Sequence, residues 1–411
     1  MTAPKPEPST KLPRRRAWTS LVVATLAIAL LVTVAATGCT AFGGTVEGGR
    51  LARAQQSPQW HDAHFENPQP MWSDARRALL RLVFGPSPPA VEPEASIPIV
   101  HTDALGTPPA SGLRITWFGH SSALIEIDGA KVLVDPLWSE RASPATWAGP
   151  KRWYAPPLAL SELPEVDAVV ISHDHYDHLD EATIVTMKSW RTVFVVPLGV
   201  GAHLTRWGIP ESHIVELDWW QSVRVGGIDL VATPARHASG RLGSKSDKTL
   251  WAGYAVIGPQ HRAWYSGDTG LHDDLPRIGE RLGPFDVTLI EAGQYDADWP
   301  DIHLGPELAV EAHRQVRGKV MIPVHWGLLR LANHGWTEPV ERVLAAARCR
   351  GVDVLTPRPG ESIEPTLHVA MAQWWPVAAW QSAQNSPVIP TRNGQPSDRV
   401  RMAPCLKHES S

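Results

Sequence analysis

The chain has 411 residues, with 38 Lys and Arg against 42 Asp and Glu, a formal net charge of -4. That length exceeds one ordinary core and predicts a large domain with appended segments. The near-balanced charge offers no basic face, so nucleic acid is excluded as the expected partner. Cys39, Cys349 and Cys405 are scattered and odd in number. They suit neither a disulfide framework nor a Cys-rich metal site, so a metal here must be held by His and carboxylates.

The N-terminus places Lys5, Lys11, Arg14, Arg15 and Arg16 ahead of the uncharged stretch AWTSLVVATLAIALLVTVAATG at 17–38. As a helix this is long enough to cross a hydrocarbon core of roughly 30 Å. Positive charge before it predicts a cytoplasmic N-terminus and an extracytoplasmic body. Small residues at its end admit three fates: a retained anchor, a lipoprotein or ordinary secretion. In the second, Ala36-Thr37-Gly38-Cys39 resembles a bacterial lipoprotein processing box and Cys39 carries the lipid. Residues 1–39 are read as this basic stub and membrane segment, and 40–110 as a Pro-rich spacer with one short helix at SDARRALLRLVF.

Regular structure is expected from 111 to 365. LRITWFG, SALIEID and KVLVDP read as three short strands, with Asp128-Gly129 at a hairpin turn. EVDAVVISH reads as a strand buried on both faces, EATIVTMKSW as a helix and TVFVVP as another strand. Further strands are expected at IDLVATPA, LWAGYAVIG, HRAWYSGD, FDVTLIEA and KVMIPVH, with helices in 270–282 and near 306–316. Strands outnumber helices and alternate with them, which predicts two mixed sheets packed face to face with helices outside. The remainder, 366–411, reads as a Trp-containing and disordered tail.

The densest chemistry lies in ISHDHYDHLD at 171–180, three histidines and three aspartates after an apolar run. Alternate residues of an extended segment share a face, so His173 and His175 project together while the following turn brings Asp177 and His178 around. Burying so many ionisable groups without a cation is costly, and imidazole with carboxylate suits zinc and similar metals. His237, Asp268 and His325 each complete another β-type run. The set suffices for two metals: His173, His175 and His237 on one, Asp177, His178 and His325 on the other, and Asp268 bridging. Asp135 is expected beneath the site as an acceptor for a ligand histidine, and His120 as a packing or outer-shell residue. His334 either lines a cleft or is exposed.

These residues carry a resemblance. GHSSALIEIDGAKVLVDP, SHDHYDHLD, SGDTG and VHWG, in this order, resemble the metallo-β-lactamase fold, over about 111–364. Within it the similarity points to N-acylphosphatidylethanolamine phospholipase D and RomA-like bacterial outer-membrane proteins. The resemblance implies an α+β or α/β chain with a four-layer αβ/βα sandwich, a dinuclear zinc site that also accepts iron or manganese, and the ligands already named. DIHLGPELAVEAH resembles a stretch whose histidine lies near the substrate head group, which implies that role for His303. The chain departs from the family pattern at Arg236 and Ala238, where Gln and Trp usually flank the histidine.

Hydrolysis by metal-bound hydroxide follows as the expected chemistry, with Asp177 orienting the nucleophile or taking its proton and His303 assisting at the phosphoryl group. The 19 tryptophans, among them Trp138, Trp147, Trp153, Trp219, Trp220, Trp326 and Trp336 near site loops, suit a lipid interface or an acyl cleft, or else the core. AQWWPVAAW near 372–380 either touches a membrane or packs back. The leading expectation is a membrane-anchored zinc phosphodiesterase acting on a phospholipid-like substrate. A lactonase or β-lactam hydrolase, and an envelope protein that binds partners without turnover, are the alternatives.

Overall fold

The structure, a computed structural model, describes residues 25, 40–242, 247–367 and 371–401. The expected membrane stretch and the processing box at Cys39 lie, but for Thr25, outside them. No described helix is long and apolar enough to cross a membrane.

A two-residue hairpin, β1 (Trp60–His61) with β2 (His64–Phe65), precedes the main body. The first large sheet holds β3 (Leu113–Gly119), β4 (Ser122–Ile127), β5 (Ala130–Val134), β6 (Ala168–Val170), β7 (Val193–Pro197) and β8 (Ile214–Leu217). The second holds β9 (Ser222–Val225), β10 (Ile228–Thr233), β11 (Gly253–Ile257), β12 (Arg262–Tyr265), β13 (Phe285–Glu291), β14 (Gly318–Val324) and β15 (Asp353–Val354). The last strand, β16 (Ser362–Ile363), returns to the first sheet beside β3. The orders are β16-β3-β4-β5-β6-β7-β8 and β15-β14-β13-β12-β11-β10-β9.

Each sheet joins an antiparallel meander to a parallel half, which is why both hairpin turns and crossover helices are present. Asp128 and Gly129 have φ of 48° and 91° and close the β4–β5 hairpin at the expected place. Positive φ at both turn positions matches the right-handed strand twist, and this is why Asp-Gly is found there.

Ile115, Trp117, Ile125 and Val132 from one sheet meet Leu230, Tyr254, Val287 and Val324 from the other in the central core. The outer face of the first sheet packs Phe194 and Val196 against Ile184 and Leu204 of its helices. The outer face of the second packs Trp264 and Ile290 against Leu308 and Val343. Four layers result, helix, sheet, sheet and helix, as expected. The helix Glu338–Arg350 is absent from the expected elements. Cys349 on its last turn is disulfide-bonded.

The flanking segments are more tightly attached than a spacer and a disordered tail. Trp207 Nε1 donates to Thr40 O at 2.7 Å, and Gly44 N donates to His203 Nδ1 at 3.0 Å. The expected helix spans Ala75–Phe84, with Arg81 paired to Asp296. Asp301, fully buried, accepts from Trp72 N and from Thr391 N, both at 2.7 Å. One carboxylate thus ties 72 and 391 to the body. In 372–380, Trp374 stacks on Trp326 at 5.4 Å and Trp375 Nε1 donates to Glu341 at 2.8 Å, so this part packs back, while Val377 is exposed.

Candidate metal centre

The centre forms where strands of both sheets end. His173 and His175 follow β6, His237 follows β10, Asp268 follows β12, Glu291 ends β13 and His325 follows β14. The two sheets are locked together there: His325 N donates to His120 O at 2.9 Å and His120 N to Trp326 O at 3.2 Å. His120, Asp135 and His325 have φ of 51°, 38° and 65°. Left-handed backbone at a non-glycine residue costs about 1–3 kcal/mol and persists where surrounding structure enforces it. Gly267, φ 57°, lets the strand end approach closely, since a Cβ there would meet Ser172 Cβ at 2.7 Å.

Seven donors converge. His173 Nε2 lies 2.8 Å from His175 Nδ1, and His237 Nε2 lies 3.4 Å from the same nitrogen. Asp177 Oδ2 is 3.2 Å from His178 Nε2 and 3.3 Å from His325 Nε2. Between these groups stands Asp268, whose Oδ2 is 3.1 Å from His178 Nε2, 3.2 Å from His325 Nε2 and 3.8 Å from both His173 and His237. The structure brings together all seven proposed ligands in the expected two groups with a shared carboxylate.

Two observations fit a cation rather than a self-sufficient polar network. Asp268 Oδ1 and His178 Nε2 are buried with no hydrogen-bond partner. His237 donates Nδ1 to Ile302 O, so its Nε2 faces His173 Nε2 and His175 Nδ1 as a bare lone pair, and lone pairs crowded together in this way fit convergence on a metal.

The outer faces of the rings are held in place. Asp135 Oδ2 lies 2.7 Å from His178 Nδ1 and also accepts from the Tyr265 hydroxyl, while Oδ1 accepts from Ser172 N at 2.7 Å. Ser172 Oγ is 2.9 Å from His173 Nδ1, and Ile302 O is 3.0 Å from His237 Nδ1. Asn67 brackets His237 from the 40–110 segment, its side chain donating to His237 O and accepting from His237 N. Such partners set which ring nitrogen faces the metal.

The remaining expected residues divide. His120 is fully buried, with Nε2 2.8 Å from Asp177 Oδ2, so it steadies that carboxylate. His303 joins the centre, its Nδ1 3.0 Å from Glu291 Oε2 and 3.9 Å from Asp268. His334 is buried away from the cluster, accepts from Gln294 N at 2.8 Å and lines a neighbouring cleft. Glu291 was not among the expected residues. It is fully buried, accepts from Thr269 N and Leu304 N at 3.0 Å each, and faces His325 Nδ1 at 3.5 Å. Its signal is the one Asp268 shows, an acid completing an apolar strand.

The two groups differ in protonation. Burial pushes His173 and His237 well below the ordinary imidazole value, and lowers His175. Burial thus favours the neutral, metal-binding form of all three. Burial acts in the same direction on His178 and His325, but Asp268 overcomes it, holding His178 well above its usual value and pushing His325 up to about 10. Asp177 and Asp268, against burial, sit well below the carboxylate range because His178 faces both. Asp177, His178 and His325 would hold a metal there in competition with protons.

The family model described as a beta-lactamase superfamily domain matches residues 130–326. An uncharacterized protein of Mycobacterium tuberculosis is 48% identical over 332 residues, 79% of this chain and 89% of that one. The N-acyl-phosphatidylethanolamine-hydrolyzing phospholipase D 1 of Caenorhabditis elegans is 39% identical over 246 residues, 57% of this chain and 69% of that one. A metal-dependent hydrolase of Pyrobaculum aerophilum is 29% identical, covering 61% of this chain and all of that one. The chain belongs to the metallo-β-lactamase superfamily, as one of its metal-dependent hydrolases.

Proposed function

We propose that the protein is a phosphodiesterase of phospholipase D type, acting on a phospholipid of the N-acylphosphatidylethanolamine kind with two zinc ions as its metals. The observation that carries this reading is the pair of ligand groups sharing Asp268. His173, His175 and His237 would hold one ion and Asp177, His178 and His325 the other. Bound there, two cations lower the cost of deprotonating water and neutralise charge on a phosphoryl group. Asp177, partly exposed and fixed by His120, orients the attacking water and takes its proton. His303, also partly exposed, uses Nδ1 on Glu291 and keeps Nε2 for a phosphoryl oxygen or the leaving group. The worm phospholipase supports the bond class.

Purified protein is expected to hydrolyse a long-chain N-acylphosphatidylethanolamine, to lose this on chelation and to regain it with zinc. Turnover of a lactone or a β-lactam in its place would replace the proposed reaction by the alternative on the same site. No turnover of any of the three by metal-loaded protein would favour a binding protein.

We also propose that residues 1–39 anchor the chain, with the body on the extracytoplasmic side. The basic residues before an uncharged run at 17–38 support this, as does a disulfide at Cys349, which suits an oxidising compartment. The full chain is expected to pellet with membranes and a chain beginning at residue 40 to stay in the supernatant. Equal partition of the two would remove the anchor.

A further inference from the structure

His173 and His175 follow β6 of the first sheet, whereas His237 reaches the same group from the second sheet, in the stretch 234–240 after β10. That stretch belongs to no helix or strand. No regular ladder fixes the third ligand, so its place must be set by side chains that reach it from elsewhere.

Asn67 does this. Its Nδ2 donates to His237 O at 2.7 Å and its Oδ1 accepts from His237 N at 3.2 Å. Two residues of an antiparallel ladder exchange the same pair of bonds, and here a side-chain amide stands in for the partner strand. A backbone N–H can only donate and a carbonyl only accept, so the orientation of the amide follows from its partner. With Nδ1 of the ring on Ile302 O at 3.0 Å, backbone and ring are both fixed and Nε2 is left for the metal.

Asn67 is itself held on both sides. Before it, Phe65 is buried in the central core, meets Trp60 edge to face at 4.9 Å and donates its N to Asp247 O at 2.8 Å. After it, Arg236 takes the carbonyls of Gln69 and Pro70, and Trp72 N donates to Asp301 at 2.7 Å. None of these anchors uses the Asn67 amide. Both hydrogen bonds of that amide go to His237, so they serve the ligand rather than the docking of the segment.

We propose that Asn67 is a positioning residue for the His173, His175 and His237 group, and that the segment 60–72 is a built part of the metal centre. The proposal rests on the two-metal reading above for the number of ions. The cobalt(II)-loaded full chain, titrated with a chelator, reads each ion through its visible absorption. Partners that fix a metal ligand typically carry about 10–100-fold in affinity. Asn67→Ala is accordingly expected to weaken one ion about tenfold or more and to leave the other within about twofold, at equal circular dichroism. The weakened ion is expected to be the one whose absorption bands His237→Ala removes. Asn67→Asp has the same shape but sets an acceptor against His237 O, and is expected to weaken the same ion. Unchanged affinities in both Asn67 variants overturn the assignment, as does an equal loss of both ions or a loss confined to the ion that His237→Ala spares. A parent that binds a single ion, weakened by Asn67→Ala, would sink the two-metal reading while leaving Asn67 in its role.

Discussion

Replacing Asp268 with alanine is expected to lower hydrolysis by about a thousandfold or more and to leave fewer than two metal ions per chain. Its Oδ2 is within 3.2 Å of His178 and His325 and within 3.8 Å of His173 and His237, so one side chain serves both ligand groups. Without it His178 and His325 lose the carboxylate that most strongly raises their affinity for a proton, and the second group loses its negative partner. Asp268→Asn preserves shape but not charge, and is expected to keep the fold while losing most activity. Steady-state rates with elemental analysis of the same samples decide it. Activity within tenfold of the parent in Asp268→Ala would remove this residue from the bridge.

Arg236→Met is expected to destabilise the protein by about 3–5 kcal/mol, because it leaves the buried Asp301 carboxylate without its cation. Arg236 Nη1 donates to Asp301 Oδ1 at 3.2 Å, Leu271 O at 3.1 Å and Thr391 O at 3.0 Å, and its Nε to Gln69 O at 3.3 Å. The side chain therefore joins the 40–110 segment, the body and the C-terminal segment directly before the metal-facing His237. The family's usual glutamine could not reach so many acceptors with a charge. Urea unfolding measures the loss. The double variant Arg236→Met with Asp301→Leu is expected to recover part of it, since no charge is then left buried unpaired. A single variant as stable as the parent would contradict the account of this junction.

The ligand set was legible because each member ends a β-type run, and a run of that kind predicts a buried end where an unpaired His or Asp is costly. Glu291 carries the same signal at the end of β13 but is not among the expected ligands. What distinguishes it, two backbone donors from Thr269 and Leu304 and the ring of His303, is supplied by segments that meet it only in the fold. Asp174 shows the converse. It sits inside the His-x-His-x-Asp-His stretch but turns away to His203 at 3.1 Å and Thr249 at 2.9 Å, bracing the loop from behind.

The flanking segments were least legible. Their docking uses backbone carbonyls such as those of Thr40, Ala41, Gln69 and Pro70, which any sequence presents, so a Pro-rich composition reads as a spacer even where Arg241 and Arg236 hold it. The helix Glu338–Arg350 did carry its signals, Pro339 in the first turn and Gly351 in the left-handed conformation at its end. The sheet partners, by contrast, depend on which strands of two similar meanders pair across long separations, and local pattern does not encode that.

The central claim is that two cations share Asp268 between the His173, His175 and His237 group and the Asp177, His178 and His325 group. X-ray absorption at the metal edge, with elemental analysis of the purified protein, tests it most directly. The account predicts two transition-metal ions per chain in nitrogen- and oxygen-only coordination, with a metal neighbour at roughly 3.5–4 Å. One ion without a metal neighbour, or sulfur in its coordination, would contradict it.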